Sequence, residues 1–296
     1  MKSPRSALAG IGFVILATGC FASLDTTTKH VTGTGFPVLA ALWFRYAIQA
    51  LITTLMVWPR QGRAVLRTAN PKQQVLRGCL LWTSSLLAFY SLKFLPVGEF
   101  TAIMMLTPLS ITLLASWMLG ERVRPLRWGL VLGGFAGTLV IIRPGAGHSG
   151  WAMLLPLLMV AVSVAFQLLT SRMTRTESPT TMHFYTGWVG TILATLALPL
   201  VWQTPQSSGV WLQLLLMGAL ASAGHLLLIK AYLHAPAATL TPYMYTQIGF
   251  GVLGGWMVFG HVPDGWTFAG MGMVVLFGVL GAALSLHEHR QALRQS

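Results

Sequence analysis

Residues 95–145 read LPVGEFTAIMMLTPLSITLLASWMLGERVRPLRWGLVLGGFAGTLVIIRPG. Two long apolar runs are joined by a short charged link, Gly120-Glu121-Arg122-Val123-Arg124-Pro125. Each run is close to the roughly 20 residues that a helix needs to cross the hydrocarbon core of a bilayer. A fainter copy of the whole stretch occupies residues 236–286. Two copies imply two similar halves, with the function lying between them.

Composition points the same way. Charged residues make up 8% of the 296-residue chain, against roughly 25% in ordinary globular proteins. Apolar residues make up 54%, and the mean hydropathy is +0.68. A soluble fold lacks enough polar surface to cover such a core, so the bilayer is the natural solvent. The net charge of +13 does not indicate nucleic acid, because the basic residues sit in short segments between apolar runs rather than on one continuous face. The two cysteines, Cys20 and Cys79, both lie in apolar runs and read as small packing residues, not as a disulfide framework or zinc site.

Working outward, ten stretches are candidate spanning helices: 8–28, 37–57, 75–94, 100–119, 126–142, 151–170, 180–200, 210–231, 237–259 and 265–286. The chain start, Lys2 and Arg5 before a run ending Ala17-Thr18-Gly19-Cys20, resembles a lipoprotein signal. The apolar character continues past Cys20 towards Thr28, which predicts a first spanning helix instead. With the N-terminus in the cytoplasm, 15 Lys and Arg fall in inner segments and 3 (Lys29, Lys93, Arg143) in outer ones, leaving Arg45 within the second span. This bias predicts that both termini are cytoplasmic.

A shift of 140 residues places Gly78 on Gly218, Pro96 on Pro236, Thr101 on Thr241, Met104 on Met244 and Gly120 on Gly260. Nearby shifts place Thr27 on Thr170, Lys29 on Arg172 and Pro37 on Pro179, as differing loop lengths would. Five spans per copy is an odd number, so the second copy enters the membrane from the opposite side. That is an inverted-topology repeat, a plan used by secondary transporters that bind substrate near the midplane between the halves. The fold expected is an all-α membrane protein of ten transmembrane helices, with a first repeat at 6–145, a second at 150–287 and a cytoplasmic tail at 288–296.

These features resemble the drug/metabolite transporter superfamily, specifically its EamA group of ten-helix bacterial carriers. The residues that carry the likeness are Pro108, the Gly120-Glu121-Arg122-Val123 link, Arg127-Trp128-Gly129 leading into Gly133-Gly134-Phe135-Ala136-Gly137, the closing IIRPG of 141–145 and Arg45. It extends over about residues 6–287. The resemblance implies a multi-pass inner-membrane carrier, with the first, third, fourth, sixth, eighth and ninth spans lining its path. The second half departs from the pattern, with Gly260-His261-Val262-Pro263 where the Gly-Glu turn is expected, and Ile248 at the place of Pro108.

An ionisable residue inside a membrane helix marks a candidate site. Arg45 is the deepest, and it is read either as a structural arginine or as a substrate ligand. Asp25 and Lys29, one turn apart near the outer end of the first span, read as a pair or as a gate. Glu99, at the outer start of the fourth span, reads as a helix cap or a coupling residue. Polar and aromatic candidates for substrate contact are Trp82 and Phe89 (one stripe with Ser85), Gln167, Tyr185 (near His183 and Trp188), His225, and Tyr243, Tyr245 and Gln247. Tyr243 and Gln247 share a face if the ninth span is one helix. Glycines at 129, 133 and 137, and at 270, 272, 278 and 281, suit close helix packing.

The Gly145-to-Gly150 match to G-x-G-x-x-G has no preceding strand and is discounted. The chain contains no phosphate loop, H-E-x-x-H or G-x-S-x-G. No cofactor, metal or nucleic-acid partner is expected. The function expected is secondary transport, as exporter or exchanger, of a small organic metabolite such as an amino acid or vitamin-like ring compound. It would proceed by alternating access, as a monomer or homodimer, with protons or a counter-solute as possible driving partners. An intramembrane enzyme and a lipid-flipping scaffold are the alternatives.

Overall fold

The computed structural model describes residues 4–118, 125–142, 150–173, 176–234 and 237–295. Most of the charged link (Gly120 to Arg124), the Arg143-Pro144-Gly145 closure and Pro236 lie outside them. The described residues form twelve α-helices and no strand. The helices are α1 (Pro4–Gly33), α2 (Val38–Gln61), α3 (Pro71–Phe94), α4 (Val97–Met104), α5 (Leu106–Met118), α6 (Pro125–Ile142), α7 (Leu154–Met173), α8 (Pro179–Val201), α9 (Ser208–His234), α10 (Ala237–Met244), α11 (Thr246–Phe259) and α12 (Gly265–Gln295). Among the described residues, seven helical stretches are long and apolar enough to cross a membrane, and Val97–Ile111 and Trp128–Ile142 are shorter apolar ones. Helices are the expected solution, since a lipid-exposed backbone must satisfy its own hydrogen bonds. Residue 20 lies mid-helix in α1, so the apolar run after Lys2 and Arg5 continues through Cys20 as one element.

The predicted single spans at 100–119 and 237–259 are each broken into two helices. The first breaks at Met105, between α4 and α5, and the second at Tyr245, between α10 and α11. In the first, Pro108 has no N–H to offer the Met104 carbonyl, and its ring crowds that oxygen. In the second, Ile248 stands in the proline's place and closes a tighter bond to the Tyr245 carbonyl, at 3.1 Å. A 3-10 step of this kind also interrupts an α-helix. Different local chemistry therefore produces the same break, 140 residues apart.

The core forms between the copies more than within either one. The most extensive contacts are α1 on α9, α6 on α12, α2 on α8 and α3 on α7. Exchanging each helix of residues 4–142 for its counterpart in residues 150–295 converts α1·α9 into α7·α3 and α2·α9 into α8·α3, and leaves α2·α8 and α6·α12 paired with themselves. Small residues allow the close approaches. A Cβ on Gly137 would stand 2.9 Å from the Gly270 carbonyl oxygen, and one on Gly270 2.6 Å from that of Gly137. Gly133 meets Phe277 in the same seam, whereas Gly129 faces open space.

The exchange is incomplete, and it fails most at one pair. Helix α11 packs closely on α4, with Gly251 against Thr101, where a Cβ would come within 2.8 Å of the hydroxyl. The counterpart pair, α5 and α10, makes no comparable contact among the described residues. At the opposite end from α11's close, the Glu177 carboxylate accepts hydrogen bonds from the Thr68 hydroxyl (2.7 Å) and the Ala69 and Asn70 amides (2.9 and 3.0 Å). It thereby ties the α2–α3 link to the α7–α8 link.

Candidate functional site

Most of the buried polar side chains that lack a full complement of partners lie on α2, α3, α8 and α9. Glycines bring these helices together: Gly190 seats on Tyr46, Gly187 on the Ala50 backbone, and Gly218 on Ile48. On the enclosed face of α2, Arg45 is 5% exposed and Gln49 fully buried. Arg45 Nη1 donates to the Ser85 hydroxyl at 3.1 Å, and its guanidinium lies 4.5 Å from the centre of the Tyr46 ring. Ser85 also shares a hydrogen bond with the Tyr46 hydroxyl, at 2.9 Å. Desolvated stacking of this kind is an established way to hold an arginine without a carboxylate.

Arg77 is a second interior cation. The sequence reading counted it with the cytoplasmic segments, but α3 buries it. Its Nε donates to the Thr170 hydroxyl (2.8 Å), and its Nη1 to the Met182 carbonyl (2.9 Å) and the Thr186 hydroxyl. Its plane lies over Phe166, 4.8 Å from the ring centre. The imidazoles of His183 and His225 stand 5.8 Å apart, within the electrostatic reach of both arginines. His225 Nδ1–H donates to the Ala221 carbonyl at 2.7 Å, and its ring meets the edge of Phe21.

Asp25 is buried on α1, hydrogen-bonded by the Gln247 side chain of α11 and within reach of the Arg45 charge. It therefore joins the first repeat to the second. Lys29 does not pair with it. The Lys29 ammonium donates to the Leu92 and Leu95 carbonyls, both at 2.8 Å. It thus caps the C-terminal end of α3, where a cation suits the free carbonyls and the helix dipole. Glu99, in the first turn of α4, stands 3.4 Å from His261 Nε2. The acid of the first repeat therefore meets the histidine that replaces the family's second Gly-Glu turn. Lys29 and His30 both lie against Phe259, and His30 Nδ1 contacts the Gln213 amide oxygen at 3.2 Å, so this end of the bundle is cross-linked by side chains.

The remaining predicted residues divide. Phe89 is buried and Trp82 packs on the same apolar cluster, with its indole N–H unpartnered. Tyr245 is 4% exposed at the helix break, packed against Gly278, with its hydroxyl unpartnered. Tyr243 is 37% exposed whereas Gln247 is buried, so across the break at Tyr245 the two do not line one enclosed face. Gln167 is exposed on α7. Tyr185 donates to the Leu66 carbonyl at 2.9 Å, at the end of the bundle and outside the cluster. Sequence reasoning missed Gln49 and Ser222 entirely. The available signal was the i, i+4 spacing of Gln49 from Arg45, which puts both on one face. Among the described residues, no group of three or more His, Cys, Asp or Glu side chains converges as metal ligands would.

A riboflavin transporter from Rhizobium johnstonii is 31% identical over 283 residues, covering 92% of this chain and 90% of that protein. An S-adenosylmethionine uptake transporter from Rickettsia conorii is 27% identical, covering 92% and 91%. A solved crystal structure at 19% identity superposes with a TM-score of 0.65 over 97% of this chain and 98% of that one, which shows a shared fold. The profile of the EamA-like transporter family matches twice, at residues 8–143 and 150–284. The chain belongs to the EamA-like transporter family, as a multi-pass small-molecule transporter of the bacterial inner membrane rather than an enzyme.

Proposed function

We propose that the chain is a secondary transporter for a neutral or anionic ring-containing metabolite of the riboflavin class. The observation that carries this reading is the charge balance of the interior. Arg45 and Arg77 are both buried there, and Asp25 is within reach of Arg45. A cationic solute such as S-adenosylmethionine would enter against that surplus in a medium of low dielectric. A planar flavin ring would not, and it matches a lining that includes Tyr46, Trp82 and Phe89. Substrate contact is assigned to Arg45, Trp82, Phe89, His225, Tyr245 and Gln247. Gln167, Tyr185 and Tyr243 are left out, being exposed or engaged at the bundle end.

The proposed topology is ten crossings in two five-crossing repeats of opposed orientation, with both termini cytoplasmic. The repeat offset, the exchange of helix contacts and the Lys/Arg bias support it. The packed α4–α11 pair then closes the outer side, while the α5–α10 pair faces the cytoplasm. Alternating access would exchange these roles, with Lys29, Glu99 and His261 holding the outer closure and Asp25 carrying the coupling proton or answering a counter-solute. One chain supplies both halves of the site, so a monomer suffices.

Uptake into proteoliposomes tests the reading. Riboflavin should enter saturably and S-adenosylmethionine far less. Preference for S-adenosylmethionine, or lipid scrambling without uptake of either, would overturn it.

A further inference from the structure

Four buried side chains on α2, α8 and α9 have polar atoms with nothing to bond. They are Nε of Arg45, both amide atoms of Gln49, Nε2 of His183 and the Ser222 hydroxyl. All four residues are less than one-tenth exposed: 5%, 0%, 8% and 2%. Leaving one such group unsatisfied is costly, and leaving several in one place is unusual in a native interior. They also belong together. Arg45 and Gln49 are one turn apart on α2, and α8 and α9 flank them on either side, α8 through Gly190 on Tyr46 and Gly187 on Ala50, α9 through Gly218 on Ile48, one turn before Ser222.

The kinds of atom are informative. A carboxylate or phosphate offers only acceptors, so it would satisfy Arg45 Nε–H and the Gln49 NH₂ but strand the Gln49 carbonyl. A ring imide offers an acceptor, a donor and a second acceptor in line. The Gln49 amide can give a hydrogen to one imide carbonyl and take one from the imide N–H, while Arg45 Nε–H serves the other carbonyl. The stacked Tyr46 ring beside Arg45 limits the approach to a planar group.

Resting on the riboflavin-class reading above, we infer that Arg45 and Gln49 form an imide-recognition edge, with His183 and Ser222 lining the same space. The ligand class is a fused heterocycle with a free N–H between two carbonyls. The isoalloxazine ring has this edge, whereas the ribityl chain lies outside the contact and contributes nothing to it.

The test is equilibrium binding to the full-length protein in detergent, with riboflavin and 3-methylriboflavin, whose imide hydrogen is replaced by methyl. The wild-type protein should bind the methylated ligand at least about ten-fold more weakly, the effect of one lost buried hydrogen bond plus a clash. Gln49→Leu should weaken riboflavin and bring the two ligands to equal affinity. Because the first comparison uses unaltered protein, it holds even if the variant fails to fold. Equal binding of the two flavins by wild type overturns the imide edge and leaves flavin transport standing. If neither flavin binds, the class reading fails, and lumichrome and its 3-methyl derivative decide the edge separately. A methyl-sensitive response there supports the inference, and an equal or absent response overturns it.

Discussion

Asp25 is the residue on which energy coupling is expected to turn. It sits between Gln247 of the second repeat and the Arg45 charge of the first, where gain or loss of one charge alters both halves at once. Asp25→Asn should retain counterflow exchange of preloaded riboflavin and lose concentrative uptake driven by an imposed pH gradient. Equal loss of both activities would instead mark Asp25 as structural. Arg45→Lys keeps the charge but not the planar fork that reaches Ser85 and stacks on Tyr46. It should reduce flavin affinity about ten-fold while leaving the melting temperature of the empty protein within a few degrees of wild type. The unusual residues at this scale were visible in the chain, because an arginine, an acid and a histidine stand out in apolar runs. Their partners were not. The one-turn spacing of Asp25 and Lys29 suggested a pair, but the Leu92 and Leu95 carbonyls at the end of α3 offered Lys29 a stronger site. Nothing local in the sequence announces that contact, 63 and 66 residues away.

At the scale of the element, close packing of α11 is the feature most open to test. Gly254 lies against Thr26 of α1, and Gly251 against Thr101 of α4. Gly254→Leu should wedge α11 from α1 and destabilise the protein by about 1–3 kcal/mol, lowering its detergent melting temperature. Gly129→Ala should be neutral or stabilising by about 0.5–1 kcal/mol, since that glycine meets nothing and lies inside a helix. Equal responses of the two variants would show that close approach is not what selects glycine in α11. The helices were legible because length and hydropathy announce a span. The breaks at Met105 and Tyr245 were not, since each interrupts an apolar run without changing its composition. Pro108 hinted at the first, but its absence at Ile248 pointed away from the second. Reading residues 237–259 as one helix therefore put Tyr243 and Gln247 on a common face that the chain does not have.

For the whole molecule, the unequal treatment of α4–α11 and α5–α10 is the consequential observation. With Cys20 and Cys79 replaced by serine, a single cysteine at Ile111 should react with a membrane-impermeant maleimide from the cytoplasmic side in inside-out vesicles. One at Thr101, buried where α4 meets Gly251, should resist it from either side. Strong labelling at 101 from outside would mean that the outer closure is not the resting state. The repeat that underlies this asymmetry was readable from sequence offsets alone. Which pair packs tightly was not, since it depends on the fit of a few glycines against threonines.

The exchange of helices between the copies bears on how such a chain can arise and be divided. Helices α2 and α6 have their most extensive contacts with their own counterparts, so a half molecule expressed alone would leave those faces uncovered. Each half is thus a subunit in all but covalent continuity, and the chain behaves as a dimer fused through residues 143–149. A gene cut there should yield fragments that are degraded separately and rescued by co-expression.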